Sequence, residues 1–407
     1  MRLLIATANR VSVVLMAVLL ASCSNTSPGS QVLPLGSPGA GSAAHRSGGS
    51  ADVAVQYAYV ANFVSGNVSA FAIAAGGALT PVAGSPFKAG KYPYGLAIDP
   101  AGRFVYVTNF GSSTVSAYAI DAASGALKKV RGSPFVTGSG PIGLAVDPTG
   151  KFAYVDNGNS NAVSAYTIDA HTGALTPVAG SPFRTGRNPY GVTVDREGKF
   201  VYVPCELSGS VAAFAINATT GALTAVKGSP FAAGLGPESL TLVPSGKFAY
   251  VASWESQNIY GFAVDAISGA LKPLAGSPFE DPASGPAQIV VTPTGRYAYV
   301  TNSAVCGGCG GGRHIGGYSI DSTRGTLAPL PGSPFKDVGI SPLGGAIAPG
   351  GKFVYIANID TNNISVYAVA GSGALKKVKG SPFAAGTGPA GISVCAVSGS
   401  KCIPTGF

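Results

Sequence analysis

Between residues 94 and 141 short apolar runs alternate with clusters of turn-forming residues, and no helical period appears. Gly95-Leu96-Ala97-Ile98 is small and apolar, and Asp99-Pro100-Ala101-Gly102 places Asp, Pro and Gly as a type I turn favours. Phe104-Val105-Tyr106-Val107-Thr108 is β-branched and aromatic, as a strand should be. After a polar loop at 109–113, Thr114-Val115-Ser116-Ala117-Tyr118-Ala119-Ile120 is apolar on both faces, which predicts a strand covered on both sides. A turn at 121–125 and a last strand at 126–130 lead to Ser133-Pro134-Phe135. The four predicted strands are termed A, B, C and D, with Ser-Pro-Phe ending D as an outer edge.

This unit recurs. Gly-Ser-Pro-Phe stands at Ser85, Ser133, Ser181, Ser229, Ser277, Ser333 and Ser381, spaced by 48 residues except for one step of 56. A period of that size marks a supersecondary unit too small to bury its own core. Seven copies of four antiparallel strands predict an all-β, seven-bladed propeller over residues 53–394. An open solenoid would need capping repeats, and the chain ends argue instead for a closed ring. The first unit, 53–87, has B, C and D without A, while the last A strand, 391–394, has nothing after it but a tail, 395–407. Together they make one blade, and the closed ring is expected as a monomer.

Tyr106-Val107-Thr108-Asn109 and Tyr299-Val300-Thr301-Asn302 spell the signature of YVTN β-propeller repeats, with near copies at Tyr59-Val60-Ala61-Asn62 and Tyr355-Ile356-Ala357-Asn358. The stretch from about 53 to 394 resembles the seven-bladed propellers grouped with bacterial 6-phosphogluconolactonase. That resemblance implies the fold and, as an activity, hydrolysis of a lactone. The motifs themselves are structural, so activity has to be sought where the copies differ.

The chain opens with Arg2 and Arg10, an apolar run at 11–20, then small residues, the pattern of an export signal over 1–22. Leu20-Ala21-Ser22-Cys23 resembles the lipobox of bacterial lipoproteins, which implies an acylated Cys23, and Ser24 after it favours an outer membrane. Ordinary cleavage with release is the alternative. Residues 23–52 form a Ser/Gly/Pro tether, so the expected place is the cell envelope, outer membrane or periplasm, with the membrane as a partner through the lipid. The net charge of +9 does not indicate nucleic acid, because charged residues are only 11% and the compartment is wrong. In an oxidising compartment Cys395 and Cys402 are expected to pair. Cys306 and Cys309 lie in an insertion with His314, where a disulfide or free thiols, a metal and redox chemistry are the alternatives. Three ligands on one glycine-rich loop lack a fourth, and no metal is expected. Cys205 stands where other blades carry Asn.

Most acids belong to turns: Asp99, Asp147 and Asp195 between A and B, and Asp121, Asp169, Asp265 and Asp321 between C and D. Asp156, Glu206, Glu238, Glu255, Glu280, Asp281, Asp337 and Asp360 are left for the top face, where the B–C and D–A loops meet. There the usual Pro-x-Gly becomes Pro237-Glu238-Ser239 and Pro286-Ala287-Gln288 on adjacent blades, near Glu206, Trp254 and Glu255. A carboxylate, an amide and an aromatic at a channel mouth suggest a polar ligand site, against drift on solvated loops. On the D–A loops Lys88 and Lys91, and Arg184 and Arg187, with Tyr92, Tyr94 and Tyr190 interleaved, could hold a phosphate or sugar acid, and Arg313 and His314 are further binding candidates, all against ordinary solvated charge. No P-loop, dinucleotide fingerprint or Gly-x-Ser-x-Gly elbow occurs, so no cofactor is expected. These observations rank a module binding a glycan, lactone or protein first. A lactonase using Glu238 as base, with Gln288 and Arg187 or Arg313 on substrate, ranks second.

Overall fold

The protein is described by a computed structural model over residues 55–303, 312–336 and 338–404. The leader, Cys23, the tether, Cys306, Cys309 and Asp337 lie outside the described residues. Seven antiparallel sheets form the blades of a propeller, each ordered A-B-C-D. The A strands, in blades 1 to 7, are Pro389–Ser398, Pro93–Ile98, Pro141–Val146, Thr193–Val194, Pro237–Leu242, Pro286–Val291 and Pro342–Ile347. The B strands are Gln56–Asn62, Phe104–Asn109, Phe152–Asn157, Phe200–Cys205, Phe248–Ser253, Tyr297–Asn302 and Phe353–Asn358. Both chain ends build blade 1, where Tyr59 pairs with Ser393 across the closure. Strand A does not stop at 394 there. It runs on to Ser398 and turns back as Lys401–Pro404, and the disulfide Cys395–Cys402 locks this hairpin. The Cys402 N–H then reaches the Gly102 carbonyl in the A–B turn of blade 2, at 2.9 Å.

Apolar faces meet between blades rather than within them. Tyr106, Val115 and Ala117 of blade 2, for example, pack on Leu144, Val146 and Val155 of blade 3. Equivalent clusters join the other neighbours, including blade 7 to blade 1. Each blade is therefore sandwiched, which explains strands that are apolar on both sides.

The YVTN tyrosine is a clasp between blades. Tyr106 donates its hydroxyl to the Gly173 carbonyl in the C–D turn of blade 3 at 3.0 Å, and a Cβ on Gly173 would lie 2.5 Å from the Phe104 ring. Tyr59, Tyr154, Tyr202, Tyr250 and Tyr299 repeat the bond at 2.7–3.1 Å. The motif asparagine serves its own blade: Asn109 Nδ2 donates to Thr114 and Ser116 on strand C, Thr114–Ile120. In blade 4 the asparagine is Cys205 and its serine partner is Ala212, an apolar pair packed against blade 3.

Gly-Ser-Pro-Phe does not end strand D, as expected, but interrupts it. In blade 2, D pairs with C over Leu127–Lys129, breaks, and resumes at Phe135–Val136. Across the break the Ser133 Oγ accepts the Ala117 N–H at 2.9 Å. The same serine bond recurs in the other blades at 2.8–2.9 Å. The serine thus stands in for the backbone acceptor that the break removes from strand C.

Candidate functional site

Strand A enters the channel from the top through Pro-x-Gly, so the seven copies lay two stacked rings around the axis. The upper ring is Tyr94, Ile142, Tyr190, Glu238, Ala287, Leu343 and Ala390 in blades 2 to 7 and then 1. The lower ring is glycine in five blades, with Ser239 and Gln288 in blades 5 and 6. Both rings line a cavity of about 260 Å³ in the channel mouth.

Glycine dominates the lower ring because neighbouring A strands approach backbone to backbone. A Cβ on Gly95 would lie 2.4 Å from the Ile142 carbonyl oxygen, and one on Gly391 2.5 Å from that of Tyr94. Where a side chain is present it bonds the next blade. Ser239 Oγ accepts the Ile289 N–H at 3.3 Å, and Gln288 Oε1 accepts the Gly345 N–H at 2.6 Å. With Oε1 engaged, what Gln288 still offers is its amide NH₂.

The upper ring is bulky on one side and small on the other. Tyr94 and Tyr190 share a hydroxyl–hydroxyl hydrogen bond, their rings edge to face at 6.0 Å, with blade 3 and its buried Ile142 between them. Phe63 braces Tyr94 edge-on at 5.9 Å and stacks on Tyr92 at 4.9 Å. Glu238, next around the ring from Tyr190, is 2% exposed.

Blade 4 is irregular for a definable reason. Tyr190 N–H donates to the Pro204 carbonyl at 2.9 Å, but Pro204 has no N–H to return, and the A–B ladder is reduced to Thr193–Val194. Gly191, at φ +99°, turns its N–H to Asp156 of blade 3, which also accepts the Gly143 N–H at 2.6 Å. Asp156 is therefore not on the top face, as expected, but wholly buried on strand B. Burial pushes its carboxyl up to about 8, against the pull of the two N–H donors.

The cavity brings together Glu238, Gln288, Tyr94 and Tyr190, all anticipated, and adds Ser239, Thr193 and Thr241. Tyr94 was legible as the x of Pro93-Tyr94-Gly95, but that slot signals only when it is compared around the ring. Other expected residues stand elsewhere. Arg184 pairs with Ala162 on the outer strand, and Arg187 and Arg313 are exposed loop residues outside the lining. His314 begins strand C of blade 6, His314–Ile320. Glu206 is buried and accepts from Asn188 Nδ2 at 2.5 Å, tying a D–A loop to a B–C loop. Trp254 and Glu255 lie half-buried outside the lining. Asp281 is likewise internal: it accepts from Asn302 and from Tyr318 at 2.8 Å, and burial raises its carboxyl. Cys205 is a buried free thiol, pushed up to about 11 by burial.

A seven-bladed ring with an asymmetric, polar channel mouth defines a propeller with a ligand-sized cavity on its axis. The family described as lactonase, 7-bladed β-propeller, matches residues 37–140, 135–280 and 229–390, and the chain belongs to that family. Comparison with the curated proteins gives no match. Among solved structures it resembles a candidate 6-phosphogluconolactonase from Bacteroides uniformis, at 22% identity and a TM-score of 0.72, covering 84% of this chain and 99% of that one. A second, from Bacteroides fragilis, gives 23%, 0.71, 85% and 99%. The periplasmic gluconolactonase of Pseudomonas aeruginosa gives 20%, 0.71, 84% and 100%. These likenesses establish the fold.

Proposed function

We propose that the protein is a lactone hydrolase acting in the channel mouth, with Glu238 as the general base. The observation that carries this is a single carboxylate, nearly sealed from solvent, in a small cavity beside hydroxyl and amide donors. Membership of the lactonase family supports it and reverses the order the sequence suggested, in which a binding module came first. In the reaction a water attacks the lactone carbonyl while Glu238 takes its proton. The ring C–O bond then breaks, and the proton passes to the departing alkoxide, giving the hydroxy acid. Negative charge gathering on the carbonyl oxygen would be met by the Tyr94–Tyr190 hydroxyl pair, one of whose two protons is spent within the pair, and by the Gln288 NH₂, in place of the arginines expected from sequence.

The test is hydrolysis of a panel of sugar lactones. Glu238→Gln should lower kcat/KM by roughly 10²-fold or more, while Arg187→Ala should change it by less than about twofold. No hydrolysis of any lactone above buffer would remove the reaction and leave a binding module. We further propose that the protein works in the cell envelope, held by lipid on Cys23. The leader motif and the disulfide-bonded Cys395 and Cys402 support this placement. Loss of lipid labelling and of membrane retention in Cys23→Ser would bear it out, and unchanged retention would contradict it.

A further inference from the structure

The mouth that holds a buried carboxylate holds no cation. Among the described residues that line it there is no Lys, Arg or His. Nor could the remaining parts of the propeller region supply one, because residues 304–311, 337 and 405–407 contain none of the three. The basic residues nearest in sequence to the Tyr94 and Tyr190 slots, Lys91 and Arg187, are exposed loop residues outside the lining, and Lys91 Nζ lies over the Tyr92 ring at 5.2 Å.

Phosphate carries close to two negative charges at neutral pH and is recognised by cationic or clustered N–H donors. Here it would meet Glu238 instead. Four of the lower-ring N–H groups that could have served it are already used, Gly143 and Gly191 by Asp156, Gly95 by Thr108 and Gln288 by Thr301. An uncharged sugar fits the same groups. Its hydroxyls can donate to the Glu238 carboxylate and accept from Tyr hydroxyls and the Gln288 NH₂, and its C–H faces can lie against Tyr94 and Tyr190. A cavity of about 260 Å³ lies just below the usual range of ligand pockets, which suits one sugar ring rather than a chain.

We infer that the mouth selects an uncharged, monosaccharide-sized lactone and rejects its phosphorylated counterpart, with Tyr94 and Tyr190 setting the specificity. The inference rests on the lactonase reading for the word lactone, but the selectivity it asserts is one of binding. It is therefore tested by calorimetric titration of the full-length protein with δ-gluconolactam, a ring that resists hydrolysis, and with δ-gluconolactam 6-phosphate. The unphosphorylated lactam should bind at least tenfold more tightly, with an affinity that does not change with salt. Glu238→Gln should narrow the ratio, and Tyr94→Phe or Tyr190→Phe should weaken the uncharged ligand about fivefold in a protein that melts normally. Equal or tighter binding of the phosphate, or no binding of either ligand at millimolar concentration, would overturn the inference. Selective binding of the lactam by a protein that hydrolyses no lactone would leave this inference standing and remove the lactonase reading alone.

Discussion

Asp156 occupies, in blade 3, the position that Thr108 and Thr301 fill in blades 2 and 6, and in all three the side chain ties strand A to the next blade. A threonine does this without charge. An aspartate does it with a carboxyl that keeps its proton to about pH 8 when folded but loses it near pH 4 when unfolded. Between those values the native state binds more protons, so this group's contribution to stability is full below pH 4 and falls as pH rises. Asp156→Asn should flatten the profile: measured against wild type, its unfolding midpoint should gain a few degrees between pH 5 and pH 9. A constant difference across that range would refute the assignment. The acid is visible in the sequence but its surface is not, because the register that turns the third residue of YVTN toward the axis is a property of the assembled ring. Cys205 could be located from the repeat, but its meaning depends on Ala212 beside it. Cys205→Asn alone should cost about 1–3 kcal/mol by burying an unsatisfied amide, and adding Ala212→Ser should recover most of it in denaturant melts.

Strands A to D were legible from alternation and turn chemistry, since each blade is sandwiched and its core positions repeat at a fixed period. Two features of the elements were not. The proline of Gly-Ser-Pro-Phe reads as a terminator, whereas the strand resumes after it because the Ser133 Oγ meets the Ala117 N–H across the gap. The glycines of the lower ring read only as small residues of strand A, whereas they are the contact points between neighbouring A strands. A sequence gives no distance between chains that meet only after closure. Gly391→Ala places a methyl 2.5 Å from the Tyr94 carbonyl oxygen and should destabilise by about 1–3 kcal/mol, whereas Gly76→Ala, with nothing within 4 Å, should be close to neutral. Equal melting temperatures for the two variants would show that the ring has room the structure does not show.

At the scale of the whole molecule, the candidate site exists only because seven A strands converge, which is why sequence reasoning found its members one at a time and added several that face elsewhere. Glu238 and Gln288 were legible as departures from Pro-x-Gly. The exposed arginines were not separable from them until the axis was defined. Closure fixes that axis, and it depends on the last strand: Tyr59 pairs with Ser393 and Ala58 with Val394, and the Ile392 and Val394 side chains join the cluster between blades 7 and 1. Deleting residues 391–407 removes that strand and its hairpin, bares the edge of Gln56–Asn62 and opens two blade interfaces at once. The truncated protein should lose its single cooperative transition or associate through the bared edge. Cys395→Ser with Cys402→Ser is milder, because the strand stays paired and only the short loop loses its constraint. That variant should lose about 2–3 kcal/mol and keep one transition. A truncated monomer that unfolds as cooperatively as the intact chain would mean that the ring is held by something other than the joining of its two ends.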